Sequence, residues 1–159
     1  MFSSSIHGWK TRDWIEACKG KAMTITLMKT TKGRVCGGYL HVAWKQSKGE
    51  FGSDPSAFVF SLDHRRKIPP ADPAKAVWFN NGDGYGPYFS WSLAVAAQHN
   101  QMMNAPNKCH CSTNGCNNDS YNVPNDSSGN NLLTGDGAAK KDAFKMFTLA
   151  SIETWLVFY

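Results

Sequence analysis

Three of the five cysteines, Cys109, Cys111 and Cys116, fall within one short tract that also holds His110, with His99 just upstream. Thiolate and imidazole groups at this density offer two chemistries, metal ligation and redox. Zinc takes four nitrogen or sulfur ligands in a tetrahedron, usually from two spaced pairs. Cys111 and Cys116 have four residues between them, and His99 or His110 completes a set of four, but no second well-spaced pair follows. A local disulfide is another reading, and free thiols on a polar loop is the simplest. A redox thiol needs a stabilised thiolate beside a cation. Lys108 and His110 flank Cys109 and Cys111 and supply that partner. Cys18 and Cys36 sit among apolar residues and read as small core hydrophobes. The expectation is redox thiols at most, with no metal centre and no cofactor.

The remaining constellations point away from catalysis. Asn80-Asn81-Gly82-Asp83-Gly84 faintly resembles a calcium loop, but Trp91 stands where such a loop closes with a glutamate. No G-x-S-x-G elbow, dinucleotide glycine loop, P-loop or H-E-x-x-H pair is present. Glu153 is the charge that stands out, between Ile152 and Trp155 in an otherwise apolar run. Alternation puts it on one face with Leu149, Ser151, Trp155 and Val157. It serves as a partner contact, as a catalytic acid, or as a carboxylate bonded to backbone amides that ties the terminal strand down. Trp78, Tyr85, Tyr88, Phe89 and Trp91 cluster around Gly-Pro loops. Exposed, they are interface anchors or a sugar-binding platform.

These residues hang on short elements. Thr11 to Lys19 reads as a helix capped by Thr11 and ended by Gly20, with Trp14, Ile15 and Cys18 on its apolar face. Ala22 to Lys29 alternates, with Met23, Ile25 and Leu27 on one side and Thr24 and Thr26 on the other, as in a half-buried strand. Thr30 to Gly33 turns the chain into a second strand, Arg34 to Trp44. Its Gly37-Gly38 pair signals a bulge or a close approach by another backbone. Further strands are expected at Ala57–Leu62, Arg65–Ile68, Ala76–Phe79, Ser92–Ala96 and, strongly, Phe147–Phe158. Residues 98–131 form a long Asn- and Cys-rich excursion. The pattern is mainly β with minor α, a two-sheet antiparallel sandwich with short flanking helices, in a single domain over 1–159.

Composition agrees with a packed β domain. The 159 residues are 42% hydrophobic and 13% aromatic, enough for a core. Lys plus Arg is 17 against 12 Asp plus Glu, a mild and scattered excess of +5. No basic stripe interleaved with aromatics appears, so nucleic acid is not the expected partner. No run reaches the roughly 18–20 apolar residues of a membrane span. The first residues lack a basic region followed by an apolar one. Taken as the full product, the chain is expected in the cytoplasm.

Several segments, met in order, resemble the TLDc (TLD) domain family. They are Gly8-Trp9, Thr24 to Thr30, Gly37-Gly38-Tyr39 running to Trp44, Asp54-Pro55-Ser56-Ala57-Phe58-Val59-Phe60-Ser61-Leu62, and Lys67-Ile68-Pro69. Tyr85-Gly86-Pro87-Tyr88-Phe89, Cys116 to Tyr121, Leu133-Thr134-Gly135 and Phe147 to Trp155 continue the series. Ser90-Trp91-Ser92 departs from the family's glycine-rich run, and the stretches after Gln98 and Gly135 are longer than typical. Glu153 matches the glutamate of the family's closing motif. The resemblance implies a non-enzymatic protein-interaction module that binds and regulates the vacuolar-type proton ATPase (V-ATPase) and contributes to oxidation resistance. Two alternatives remain beside it: a thiol-based redox protein, and a carbohydrate- or ion-binding sandwich.

Overall fold

The computed structural model describes residues 1–47, 49–79, 85–97, 101–106, 108–111, 120–136 and 145–158. The Asn80–Gly84 loop, His99 and Cys116 lie outside the described residues. In chain order the elements begin with β1 (Phe2–Ser3), α1 (Ser4–His7), α2 (Thr11–Cys18), β2 (Thr24–Thr30) and β3 (Val35–Leu40). They continue with β4 (Glu50–Gly52), β5 (Phe58–Ser61), β6 (Arg66–Ile68), a 3-10 turn at Pro73–Lys75 and β7 (Val77–Phe79). The last are β8 (Tyr88–Phe89), β9 (Leu93–Val95), β10 (Cys109–Cys111), β11 (Lys145–Phe147) and β12 (Leu149–Leu156).

The fold is mainly β, and every described strand pair is antiparallel. One sheet has six strands in the order β1-β12-β2-β3-β5-β6, and a second has four in the order β11-β10-β9-β8. The pair β4-β7 adds a ribbon that the sequence pattern does not separate from the two sheets. The core lies between the two main sheets. Met28, Cys36, Leu40 and Val59 meet Phe89, Leu93, Val95 and Phe147 in one buried cluster.

Strand β2 inverts the pattern its hydrophobicity suggests. Thr24, Thr26, Met28 and Thr30 point into the core, and Ile25 and Leu27 are only half-buried. The inward hydroxyls have work to do. Trp44 Nε1 donates to Thr24 Oγ1 at 2.8 Å, and Trp14 Nε1 donates to Thr154 Oγ1 at 3.0 Å. The Thr26 and Thr154 hydroxyls lie 3.1 Å apart. A buried indole N–H without an acceptor carries a full desolvation penalty, and threonine supplies the acceptor at the volume of valine. The two indoles meet edge to face at 5.0 Å.

The glycine pair in β3 causes no bulge: its register against β2 and β5 is unbroken. The close approach is real. The Thr26 carbonyl occupies the space where a Cβ on Gly37 would stand, and the Phe60 ring comes within 2.8 Å of that position. On the opposite side, a Cβ on Gly38 would lie 2.5 Å from the Phe89 ring. Each glycine thus seats one aromatic ring, on opposite faces of the sheet.

Three other expectations change. Lys10, not Thr11, is the N-cap of α2, and Thr11 is buried in its first turn with its amide bonded to the Gln101 carbonyl at 3.1 Å. The single terminal strand is split at Thr148 into β11 and β12, which belong to different sheets. A register shift between Leu149 and Ser151 then turns Leu149 inward, so it leaves the face that carries Glu153.

The described parts of the 98–131 excursion are not a plain loop. They contain β10, and Tyr121 and Val123 are buried; the continuation of the excursion to Asp136 buries Leu132 and Leu133. The Tyr121 hydroxyl donates to the Ala76 carbonyl at 2.9 Å, and Asn131 Oδ1 accepts from the Leu133 amide at 2.9 Å. Two ion pairs clasp this segment to the β2–β3 turn: Arg34 to Asp126 at 2.7 Å and Lys32 to Asp136 at 2.6 Å. The Asn130 and Ser128 amides together with Arg34 hold the Asp126 carboxyl below its ordinary range.

Candidate interaction surface

Alternate residues of β12, β2, β3, β5 and β6 build the outer face of the six-stranded sheet. The register sets them in rows. Trp155, Ile25, Tyr39 and Phe58 make one row, and Glu153, Leu27, Gly37, Phe60 and Lys67 make the next. A third row runs Ser151, Lys29 and Val35, with the Leu62 amide bonded to the Val35 carbonyl at 2.9 Å. The rings are ordered against one another: Tyr39 and Phe58 stack at 5.2 Å, and the Lys67 ammonium sits 4.2 Å above Phe58. Trp155 keeps 47% of its surface in water and Leu62 keeps 55%.

Grooves open on both sides of Phe58. One of about 410 Å³ is lined by Tyr39, His41, Pro55, Ser56, Phe58 and Lys67 among others. The other, of about 300 Å³, is lined by Ile25, Phe60, Leu62, Arg65, Arg66 and Lys67 together with Phe58. The wall of the first groove is held by Asp54, which is buried and accepts from the His41 and Val42 amides at 2.6 and 3.2 Å. The second groove has apolar walls with cations along one rim, which suits apolar side chains of a binding partner, whereas the first is mostly polar.

Glu153 stands on this face. Its two oxygens accept from the Ser3 hydroxyl and the Trp155 indole, each at 3.2 Å. These are side-chain donors, in place of the backbone amides expected from sequence. The pair orients Trp155 and ties β12 to β1.

The aromatic cluster belongs to other elements. Phe89 is fully buried and Tyr88 nearly so, which leaves Trp78, Tyr85 and Trp91 as its half-exposed members. Phe89 seats on Gly38 in the core, and Tyr88 packs edge to face on Trp91 at 5.5 Å. Trp78 lies 6.5 Å from Trp91 and 4.8 Å from Phe51. His110 completes the cluster: its ring stacks on Trp91 at 5.7 Å, and its Nε2 lies 3.3 Å from the Tyr88 hydroxyl. Burial pulls the His110 pKa down to about 4 and pushes the Tyr88 phenol up.

The thiols are not on a loop. Cys109 and Cys111 lie on β10 and are both fully buried as free cysteines. The Cys109 thiol donates to the Met103 carbonyl at 3.2 Å, and Cys111 Sγ lies 3.1 Å from the Thr134 hydroxyl. Burial pushes the Cys109 thiol well above its ordinary range, opposite to what a reactive thiolate needs. Cys18 is likewise pushed up to about 12 by burial. Among the described residues no group of three His, Cys, Asp or Glu side chains is placed to hold a metal ion.

Alternation along β12 places Ser151 and Trp155 on the face of Glu153, but nothing local in Ile25, Leu27, Phe58 or Phe60 shows that these belong to the same outer face; only the register across strands does.

Comparison with known proteins agrees with the geometry. A family model described as the TLDc domain matches residues 1–158. A zebrafish (Danio rerio) protein, "MTOR-associated protein MEAK7", is 34% identical over 62 residues, which are 39% of this chain and 14% of that protein. The chain therefore spans a small part of the length of that relative.

Proposed function

The chain belongs to the TLDc domain family, and on that premise we propose that it is a non-enzymatic protein-interaction module. The family match over residues 1–158 is the observation that carries this reading. The open apolar face supports it, because half-exposed aromatic and aliphatic rows beside a cationic rim suit a protein partner better than bulk water. Our proposed partner is the V-ATPase, with resistance to oxidative stress as the downstream effect and the cytoplasm as the place of action. The zebrafish relative is named for association with MTOR, so an assembly linked to that kinase is the second partner to test. Glu153, Trp78, Tyr85 and Trp91 are proposed contacts, with Tyr88 packed against Tyr85 and Trp91, while Phe89 belongs to the core. A domain that binds one state of a large complex better than another shifts its population without doing chemistry. Among the described residues no helix is long and apolar enough to cross a membrane. Burial of Cys109 and Cys111 speaks against their part in the redox alternative.

The test is a pull-down from a detergent-solubilised organelle fraction, read by mass spectrometry, with wild type and Glu153→Ala as baits. We expect V-ATPase subunits with the wild type and their loss with a folded Glu153→Ala. A folded wild-type bait that recovers no such subunit overturns that partner. Equal recovery with both baits removes Glu153 from the contact.

A further inference from the structure

We propose that the outer face of the six-stranded sheet docks an acidic amphipathic segment of a partner protein. Its apolar side chains seat in the groove between Ile25, Phe58, Phe60 and Leu62, and its carboxylates lie over Arg65, Arg66 and Lys67. This rests on the interaction-module reading and adds the chemistry that the partner presents.

Shape and charge are asymmetric in the same direction. Both grooves meet at Phe58, and Lys67 lines both. Arg65 and Arg66 line the second groove beside the exposed Leu62. Among the described residues no ion pair involves Lys29, Arg65, Arg66 or Lys67, whereas the nearby Arg34 is already held by Asp126. The acids of this face are engaged locally: Glu153 by Ser3 and Trp155, and Asp63 by the Val35 amide at 2.7 Å. One end of the face thus offers cations outside any described ion pair beside an apolar groove, the complement of a segment with alternating carboxylates and apolar anchors.

Other occupants fit less well. A second copy of this chain brings the same cations, opposed only by acids that are already bonded. An anionic lipid surface suits protruding apolar groups ringed by cations, whereas here Phe60 is recessed and Glu153 shares the face.

Three fluorescent amphipathic peptides with one leucine pattern and Glu, Gln or Lys at the polar positions test the proposal by titration. We expect the Glu peptide to bind at least about tenfold tighter than the Gln peptide and the Lys peptide weakest, with the preference shrinking as salt rises. Leu62→Asp and the double variant Arg66→Glu/Lys67→Glu change exposed positions, and thermal melts verify that both fold. Each is expected to abolish the tight binding. Equal binding of the three peptides, or wild-type binding by both variants, overturns the proposal. Phosphatidylserine vesicles that bind better than the Glu peptide and lose binding in the same variants overturn it in favour of a lipid surface. A concentration-dependent dimer abolished by Leu62→Asp overturns it in favour of self-association. If the pull-down recovers V-ATPase equally with wild type and with these variants, the module reading stands and this face fails. An empty pull-down with the expected peptide ranking removes the named partner and keeps the face.

Discussion

The two faces of the six-stranded sheet are made from alternate residues of the same strands, yet they are opposite in kind. The inner face is sealed, with threonine hydroxyls set among buried apolar residues such as Met28, Cys36, Leu40 and Val59. Thr24, Thr26 and Thr154 sit under two tryptophans that need their oxygens. The outer face is lined by rings and aliphatic chains and left open, with Trp155 and Leu62 about half in water. The alternation of β2 alone would have turned that strand over. What decides the orientation is satisfaction: an indole N–H can be buried only where an acceptor waits, and the threonine side of β2 provides it. The apolar side is left for something else to cover.

The largest effect expected is at Gly37, which seats Phe60 on the outer face. Gly37→Ala drives a methyl into the Thr26 carbonyl and the Phe60 ring, so the β2–β3 pair must move. We expect a loss of about 3 kcal/mol or more in denaturant unfolding, at the upper end for overpacking. Near-wild-type stability would show that the face-to-face geometry is looser than drawn.

Acid tests the sealed interior in the second sheet. The His110 pKa is near 4 in the folded chain against its ordinary 6.5. The unfolded chain therefore takes up a proton first as pH falls. Stability from keeping His110 neutral is complete above pH 6.5, declines below it and is exhausted near pH 4, a loss on the order of 3 kcal/mol. Urea unfolding across this range should show the slope, and His110→Gln should flatten it.

Thr154→Val keeps the volume of the inner face and removes its central acceptor. The Trp14 N–H is then orphaned, and we expect a cost of about 1–3 kcal/mol by thermal melting. The outer face should respond least. Leu62→Asp is expected to change stability by no more than about 0.5 kcal/mol while altering peptide binding. A larger loss of stability would mean that this face is part of the core.

Much of this was legible in sequence where local rules act alone. Helix α2 and strands β5, β6, β7 and β9 were anticipated within a few residues, because apolar runs there are bounded by Gly, Pro or Asp. Gly37 was marked as a place of close approach, correctly, though it seats a carbonyl and a ring without a bulge. What escaped depends on partners far along the chain. The inward threonines of β2 find one acceptor network through Thr154, 128 residues after Thr26. β10 is a strand because β9 and β11 flank it, and its residues alone show only a Cys-His-Cys triplet. Glu153 was noticed for its charge, but its donors are a hydroxyl at the opposite end of the chain and the indole beside it.

The place of β12 between β1 and β2 has a consequence during synthesis. The ribosome makes β2 and β3 early, and that hairpin can close at once, but the other edge of β2 stays unpaired until the last strand emerges. Until β12 is made, the nascent chain displays a β-prone edge, Thr24 to Thr30, of the kind that recruits other strands. This sheet therefore closes only once β12 has emerged, and holdase chaperones have that interval in which to act on the edge.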